Sequence, residues 1–222
     1  MTMHASVPRP AEESPEDNPE LDDPVRLRIV DGASRHFFAN GFRSVTMDRL
    51  AAELGMSKKT LYSRFDTKLQ LLDAVIENKF RRVRADFAGV MAARRDFPET
   101  LRTFLDCVRR HTSEIQPPFI RDMRREGPEV FQKVESLRRA SIQEYLGELM
   151  RKGRRAGYIR RDIPAHIVVE ILLAALQAIV NPARMEELGL TPKTGCALIT
   201  KVVLEGAIDP ASRARSRTST RL

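Results

Sequence analysis

The stretch Ser57 to Phe65, "SKKTLYSRF", gathers hydrogen-bond donors and positive charge into one short run: Ser57, Lys58, Lys59, Thr60, Tyr62, Ser63 and Arg64, with no carboxylate among them. Such a set suits the holding of phosphates and base edges rather than the making or breaking of bonds. Catalytic constellations are missing elsewhere. The four histidines are scattered, and there is no Gly-rich phosphate loop, nucleophile elbow or paired metal motif, so no enzyme is expected. Cys107 with His111, and His166 with Glu170, each offer two ligands one helical turn apart. Two ligands do not close a zinc site, so neither metal nor cofactor is expected.

The elements that must position the charged run follow from local signals. On a helix of about 100° per residue, Leu61 falls beside Phe65 and toward Leu54 of the preceding segment, which turns these three inward. Lys59 and Ser63 then occupy the opposite side, flanked by Thr60 and Tyr62, with Lys58 in the first turn and Arg64 at the rim. Ser57 is a natural N-cap, and Thr46 caps "MDRLAAEL" before it. Only the Gly55-Met56 turn separates the two segments, which is the spacing of a helix-turn-helix. A helix roughly 13 Å long at ~1.5 Å per residue fits a DNA major groove about 12 Å wide. Thr46 and Lys68 sit at or near the N-termini of flanking helices, where free N–H groups can hold phosphate. A charged run on a short helix is also, commonly, a solvated face, and the residues alone leave both possibilities open.

The rest of the chain reads as helices between two tails. Residues 1–24 are acidic and Pro-rich and 209–222 are basic without periodicity; both are expected to be disordered. Between them lies helical period without strand-like alternation, so the fold class is all-α. Asp23-Pro24 starts the first helix and Asn40-Gly41 stops it. Pro98, Pro117-Pro118, Gly127-Pro128, Gly157, Pro164 and Asn181-Pro182 mark later boundaries, with one long helix expected from Glu129 to Ala156. The formal charge of +8 over 222 residues favours an acidic partner. The two cysteines fit a reducing compartment. No apolar run reaches the ~20 residues of a membrane span, so a cytoplasmic, membrane-free protein is expected.

With these residues placed, the segment from Val25 to Ile76 resembles the DNA-binding domain of the TetR family of bacterial transcriptional regulators. The likeness lies in "IVDGASRHFFANGF", "TMDRLAAELGMSKKTLYSRF" and "DTKLQLLDAV". Ala33, Phe37, Gly41, Phe42, Thr46, Ala51, Gly55, Ser57, Leu61, Tyr62, Phe65 and Lys68 stand where the family pattern expects them. The resemblance implies that Thr46, Tyr62 and Lys68 anchor phosphates while Ser57, Lys58 and Thr60 approach backbone or bases. Lys59 departs from a frequent Gly, Arg64 from a frequent His, and Leu69 from a common acidic residue.

It further implies a three-helix DNA-binding domain over 25–72 and a helical ligand-binding and dimerisation domain over 73–208. The expected protein is a homodimeric repressor, released from a palindromic double-stranded operator by a small molecule; a ligand-independent regulator or an activator is the alternative. Phe104, Cys107, His111, Phe119, Met123 and Tyr145 are the candidate ligand contacts. The helix from Ala165 to Val180 is apolar over more than one core-facing stripe. That width implies a second buried face, either within the chain or against a symmetry mate, with Ile167, Ile171, Ala175, Ile179, Leu198 and Val202 as its candidates. The run "RKGRRAGYIRR" is read as charge at a helix C-terminus, favourable to the macrodipole.

Overall fold

The computed structural model describes residues 23–208. Of the expected arm only Asp23 and Pro24 are described, and the expected tail over 209–222 lies outside the described residues. The chain folds into α1 (Pro24–Asn40), α2 (Met47–Glu53), α3 (Lys58–Tyr62), α4 (Lys68–Ala92), α5 (Phe97–Ser113), α6 (Pro117–Glu126), α7 (Pro128–Ser141), α8 (Gly147–Arg155), α9 (Ala165–Ile179), α10 (Pro182–Glu187) and α11 (Pro192–Ala207). The expected all-α class is observed; among the described residues, extended backbone pairs only at the isolated bridge Ile159–Ile208.

Helix starts follow the side chains able to satisfy free backbone donors. Asp23 accepts from Val25 N–H, Thr46 from Arg49 N–H and Ser57 from Thr60 N–H. Thr67 and Gln70 form a reciprocal capping box at the start of α4. Two departures from the sequence reading appear in the C-terminal half. The helix expected from Glu129 to Ala156 is α7 and α8 joined through a π-helical turn at Ile142–Leu146. Asn181-Pro182, read as an interruption, caps and opens α10.

Two apolar cores result. The first lies among α1, α2, α3 and the first turns of α4, around Phe37, Leu50, Leu61, Phe65 and Leu72. It also takes in Phe119 and Met123 from α6, with Phe119 edge-on to Phe38 at 5.0 Å. Gly32 is what lets α2 close on α1: a Cβ there would stand 2.4 Å from Leu54 Cδ2. The second core gathers Phe87, Phe97, Phe104, Leu149, Met150, Leu172 and Leu176, where α5, α8, α9 and α11 meet the end of α4. Helix α4 therefore contributes to both cores and links them.

Candidate nucleic-acid interface

Helix α3 is one and a half turns long, and its orientation is set by what it buries. Leu61 is fully buried and Phe65, just beyond its end, is 2% exposed. Both anchor into the first core, so Ser57, Lys58, Lys59, Tyr62, Ser63 and Arg64 are left exposed and Thr60 half-buried. Gly55, at φ +63°, makes the reversal between α2 and α3 in a conformation that L side chains rarely adopt. Arg28 of α1 donates to the Leu54 carbonyl at 2.5 Å and so ties the end of α2 to α1. The pair of short helices is held from the apolar side by packing and at its turn by this bond.

On the outward side the charges are only partly free. Lys58 pairs with Asp48 of α2 at 2.5 Å, and Arg64 with Asp23, the N-cap of α1, at 2.5 Å. Lys59 makes no ion pair among the described residues. The Ser57 and Thr60 hydroxyls lie 2.8 Å apart, and the Ser63 hydroxyl donates to the Thr60 carbonyl. Tyr62 is 42% exposed, far more than a phenol ring needed for packing.

Thr46 and Lys68 flank this face. Lys68 Nζ rests 4.2 Å from the centroid of the Phe42 ring and reaches the Arg43 carbonyl at 3.5 Å. Partial burial, offset by Glu126 and Asp122, pulls the Lys68 pKa below that of a free lysine. Arg43, absent from the sequence candidates, lies beside it with a side chain 71% exposed. The signal available for it was a basic residue in the loop just ahead of the Thr46 cap.

The candidate ligand contacts divide between the two cores. Phe104, Cys107, His111 and Tyr145 come together around Phe87, whose ring centroid lies 4.6 Å from that of Phe104 and 5.5 Å from that of Tyr145. Phe119 and Met123 pack in the first core instead, because α6 lies on α1. Nearby, a pocket of about 340 Å³ opens between α5 and α11, lined in part by Leu101, Leu105, Val108, Cys196 and Leu204. A groove of about 670 Å³ between α8 and α9 holds Arg151, Arg154 and Arg155 of the basic run. Lys152, Arg154 and Arg155 occupy the last turn of α8, where their charge opposes the negative end of the helix dipole.

Of the residues considered for a second buried face, Ile167, Ile171, Leu198 and Val202 are exposed at 40, 52, 52 and 72%. Ala175 and Ile179 are half-buried. No helix among the described residues is long and apolar enough to cross a membrane.

A family model described as bacterial regulatory proteins, tetR family, matches residues 29–75, the span of α1 to α4 that builds the first core and the outward face of α3. Over this span the chain carries the DNA-binding domain of the TetR family. The family is one of regulators and not a class of enzymes. Among TetR-type relatives, SrpR of Pseudomonas putida, an HTH-type transcriptional regulator, is 30% identical over 84 residues, covering 38% of this chain. The match spans 39% of SrpR, well under two thirds of its length. UidR of Escherichia coli, also an HTH-type transcriptional regulator, is 24% identical over 168 residues, covering 74% of this chain and 84% of UidR. In fold, the chain is similar to SmeT in its complex with triclosan, with a TM-score of 0.59 at 16% identity over 85% of this chain and 93% of SmeT.

Proposed function

We propose that the protein is a cytoplasmic, homodimeric transcriptional repressor that binds a palindromic double-stranded DNA operator through α3 and is released by a small molecule. The observation that carries this reading is α3 itself. Its apolar side is fully buried, while Lys59, Tyr62 and Ser63 face solvent on an element too short to serve packing alone. Ser57, Lys58, Lys59, Thr60, Ser63 and Arg64 then approach bases or backbone, and Thr46, Tyr62 and Lys68 fix phosphates from either side. Lys58 and Arg64 exchange Asp48 and Asp23 for phosphates on docking, which makes Asp23 and Asp48 competitors of DNA for the same cations.

Dimerisation is supported by the apolar face of α9 and α11. Ile167, Ile171, Ala175, Ile179, Leu198 and Val202 line it, and two such helix pairs related by a two-fold axis make a four-helix bundle. A two-fold protein then reads a two-fold site. The division into a DNA-binding part, 25–72, and a ligand-binding and dimerisation part, 73–208, falls inside α4, which runs unbroken from one to the other. A ligand held near Phe104, Cys107, His111 and Tyr145 presses on that helix and alters the spacing of the two α3 helices. SmeT, similar in fold, is complexed with triclosan, which makes an aromatic, largely apolar molecule the first class to try. Release requires that the ligand favour the spacing that does not fit the operator, since equal affinity for both states shifts nothing. The protein acts by binding and carries out no reaction.

Selection of genomic fragments on the purified protein, followed by footprinting, tests the reading. Retention of a palindromic site is expected, with Tyr62→Phe and Lys68→Ala weakening it. Retention of all fragments alike, or binding indifferent to both substitutions, would sink it. Lys59→Ala is expected to change base preference, and a uniform loss across all base substitutions would reduce Lys59 to a phosphate contact.

A further inference from the structure

The seam between α4 and α5 carries a polar cluster beside the aromatic centre of the second core. Asp86 stands on α4, and Cys107 and His111 stand one turn apart on α5. One ligand atom from each, a carboxylate oxygen, the thiol sulfur and a ring nitrogen, lies within 4.8 Å of the other two. Neither α4 nor α5 offers three such ligands by itself; their packing supplies the third. Cys107 is 3% exposed and the His111 side chain 13%, whereas the Asp86 side chain is 44% exposed. The cluster therefore has a buried floor and an open rim.

A cation already occupies that rim. The Arg110 guanidinium donates to Asp86 Oδ2 at 3.0 Å and approaches Cys107 Sγ at 3.5 Å, while His111 Nε2 lies 2.9 Å from the same carboxylate oxygen. The Arg110 side chain is 64% exposed, so solvent can take it up once it gives up Asp86 and Cys107. On the far side of the ring, Lys79 Nζ lies 3.2 Å from His111 Nδ1 and pairs with Glu114 at 2.5 Å.

We propose that Asp86, Cys107 and His111 bind a divalent cation of the zinc type, with solvent as the fourth ligand. The donor set decides the class. A thiolate and an imidazole suit zinc and disfavour magnesium and calcium, and three protein ligands with one open position make a tetrahedral site. On binding, the S–H proton of Cys107 leaves to solvent, and the sulfur and the Asp86 carboxylate balance the two charges of the metal. The His111 proton takes Nδ1 so that Nε2 can ligate, Lys79 turns to Glu114 alone, and Arg110 leaves the rim. Burial, helped by Lys79, pushes the His111 pKa below its usual value, so the ring is neutral with a lone pair to offer at neutral pH. Burial also raises the Cys107 pKa, which keeps the thiol protonated until a metal displaces its proton.

The metal would staple α4 to α5. Any effect of this on an operator rests on the DNA-binding reading given above; the binding itself does not. Co²⁺ added to the reduced full-length chain tests the site directly, through the thiolate-to-cobalt charge-transfer band and the visible bands of tetrahedral Co²⁺. One equivalent is expected to bind, with Zn²⁺ displacing it. The charge-transfer band should vanish in Cys107→Ser and persist in Cys196→Ser. His111→Gln and Asp86→Asn should each weaken Co²⁺ about tenfold or more. These two replace partly exposed groups, so they decide the matter if Cys107→Ser fails to fold by circular dichroism. Absence of the band with both thiols reduced, its survival in Cys107→Ser, its loss in Cys196→Ser, or Co²⁺ affinity unchanged in both His111→Gln and Asp86→Asn would each overturn the proposal. A protein with the expected band but no operator would count against the regulator reading and leave the metal site standing.

Discussion

Around Leu61 and Phe37 the packing is apolar and closed, and the face that α3 turns outward is polar or aromatic; around Phe87 the packing ends at an ion-paired seam on one side and at exposed Ile171, Leu198 and Val202 on the other. Both cores use ordinary helix packing, and α4 belongs to each. Their edges differ because their tasks differ. The first core must present one short helix without letting it move, so every large side chain of α3 that is not needed outside is buried. The second leaves a polar seam open to solvent at Asp86 and an exposed apolar face on α9 and α11, and those are where a ligand, an ion or a second subunit would act.

The largest expected effects come from opening the closed core. Leu61→Ala removes a fully buried side chain from the anchor of α3 and should cost about 2–5 kcal/mol in urea unfolding. Leu198→Ala, at a position 52% exposed, should change the stability of the isolated subunit by less than about 0.5 kcal/mol. Equal losses at the two sites would erase the contrast between a finished core and a waiting face.

That waiting face is the next target. Ile171→Asp with Val202→Asp puts charge on the exposed surface of α9 and α11 without touching the buried stripe of Val168, Leu172 and Leu176. Light scattering should report the mass of one chain in place of two, with the helical signal retained. A dimer that persists in the double variant would mean that the apolar face is covered in some other way. Lys68→Ala tests the first region from outside. It should weaken operator binding and lower the steepness of its salt dependence by about 1, since one phosphate contact is lost.

The sequence made the first region legible because its signals are local. Asp23, Thr46 and Ser57 cap helices within three residues of themselves, and the spacing of Leu54, Leu61 and Phe65 defines an inward side without knowledge of any partner. What it did not show are contacts between distant segments. Arg64 meets Asp23 across the packing of α1 on α3, and Lys58 meets Asp48 across the turn, so the charge offered to DNA is more contested than the run of letters suggests. Phe119 and Met123 have the same composition as pocket residues, but the placement of α6 on α1 assigns them to the other core. Asp86 could not be matched to Cys107 and His111 because the register of two long helices against each other is set by the sum of their contacts and by no single motif. Helix α10 was hidden for a local reason: Asn181-Pro182 ends one helix and, as N-cap and first residue, begins another.

The smallest predicted effect tests whether the polar seam belongs to the fold of the second region. His111 faces Lys79 and Asp86 from α4 and lies near Arg110 on its own helix and Glu114 just past that helix's end, and burial first, then Lys79, holds its pKa below the usual value near 6.5. The unfolded chain therefore takes up a proton at a pH where the folded chain does not. Stability contributed by the neutral ring is complete above about pH 6.5 and declines as the pH falls through that value toward the lower pKa of the folded state. The wild-type protein should lose stability over this window, and His111→Gln, which cannot be protonated, should lose less. The measurement is urea unfolding at a series of pH values, read as the difference between the two chains, so that other histidines cancel. The Phe87 ring lies 6.5 Å from that of His111, so a change in its environment reports on the same seam. Parallel pH profiles for the two proteins would mean that the imidazole is free to ionise in place, and that the α4–α5 seam is an ordinary solvated edge like that of the first core.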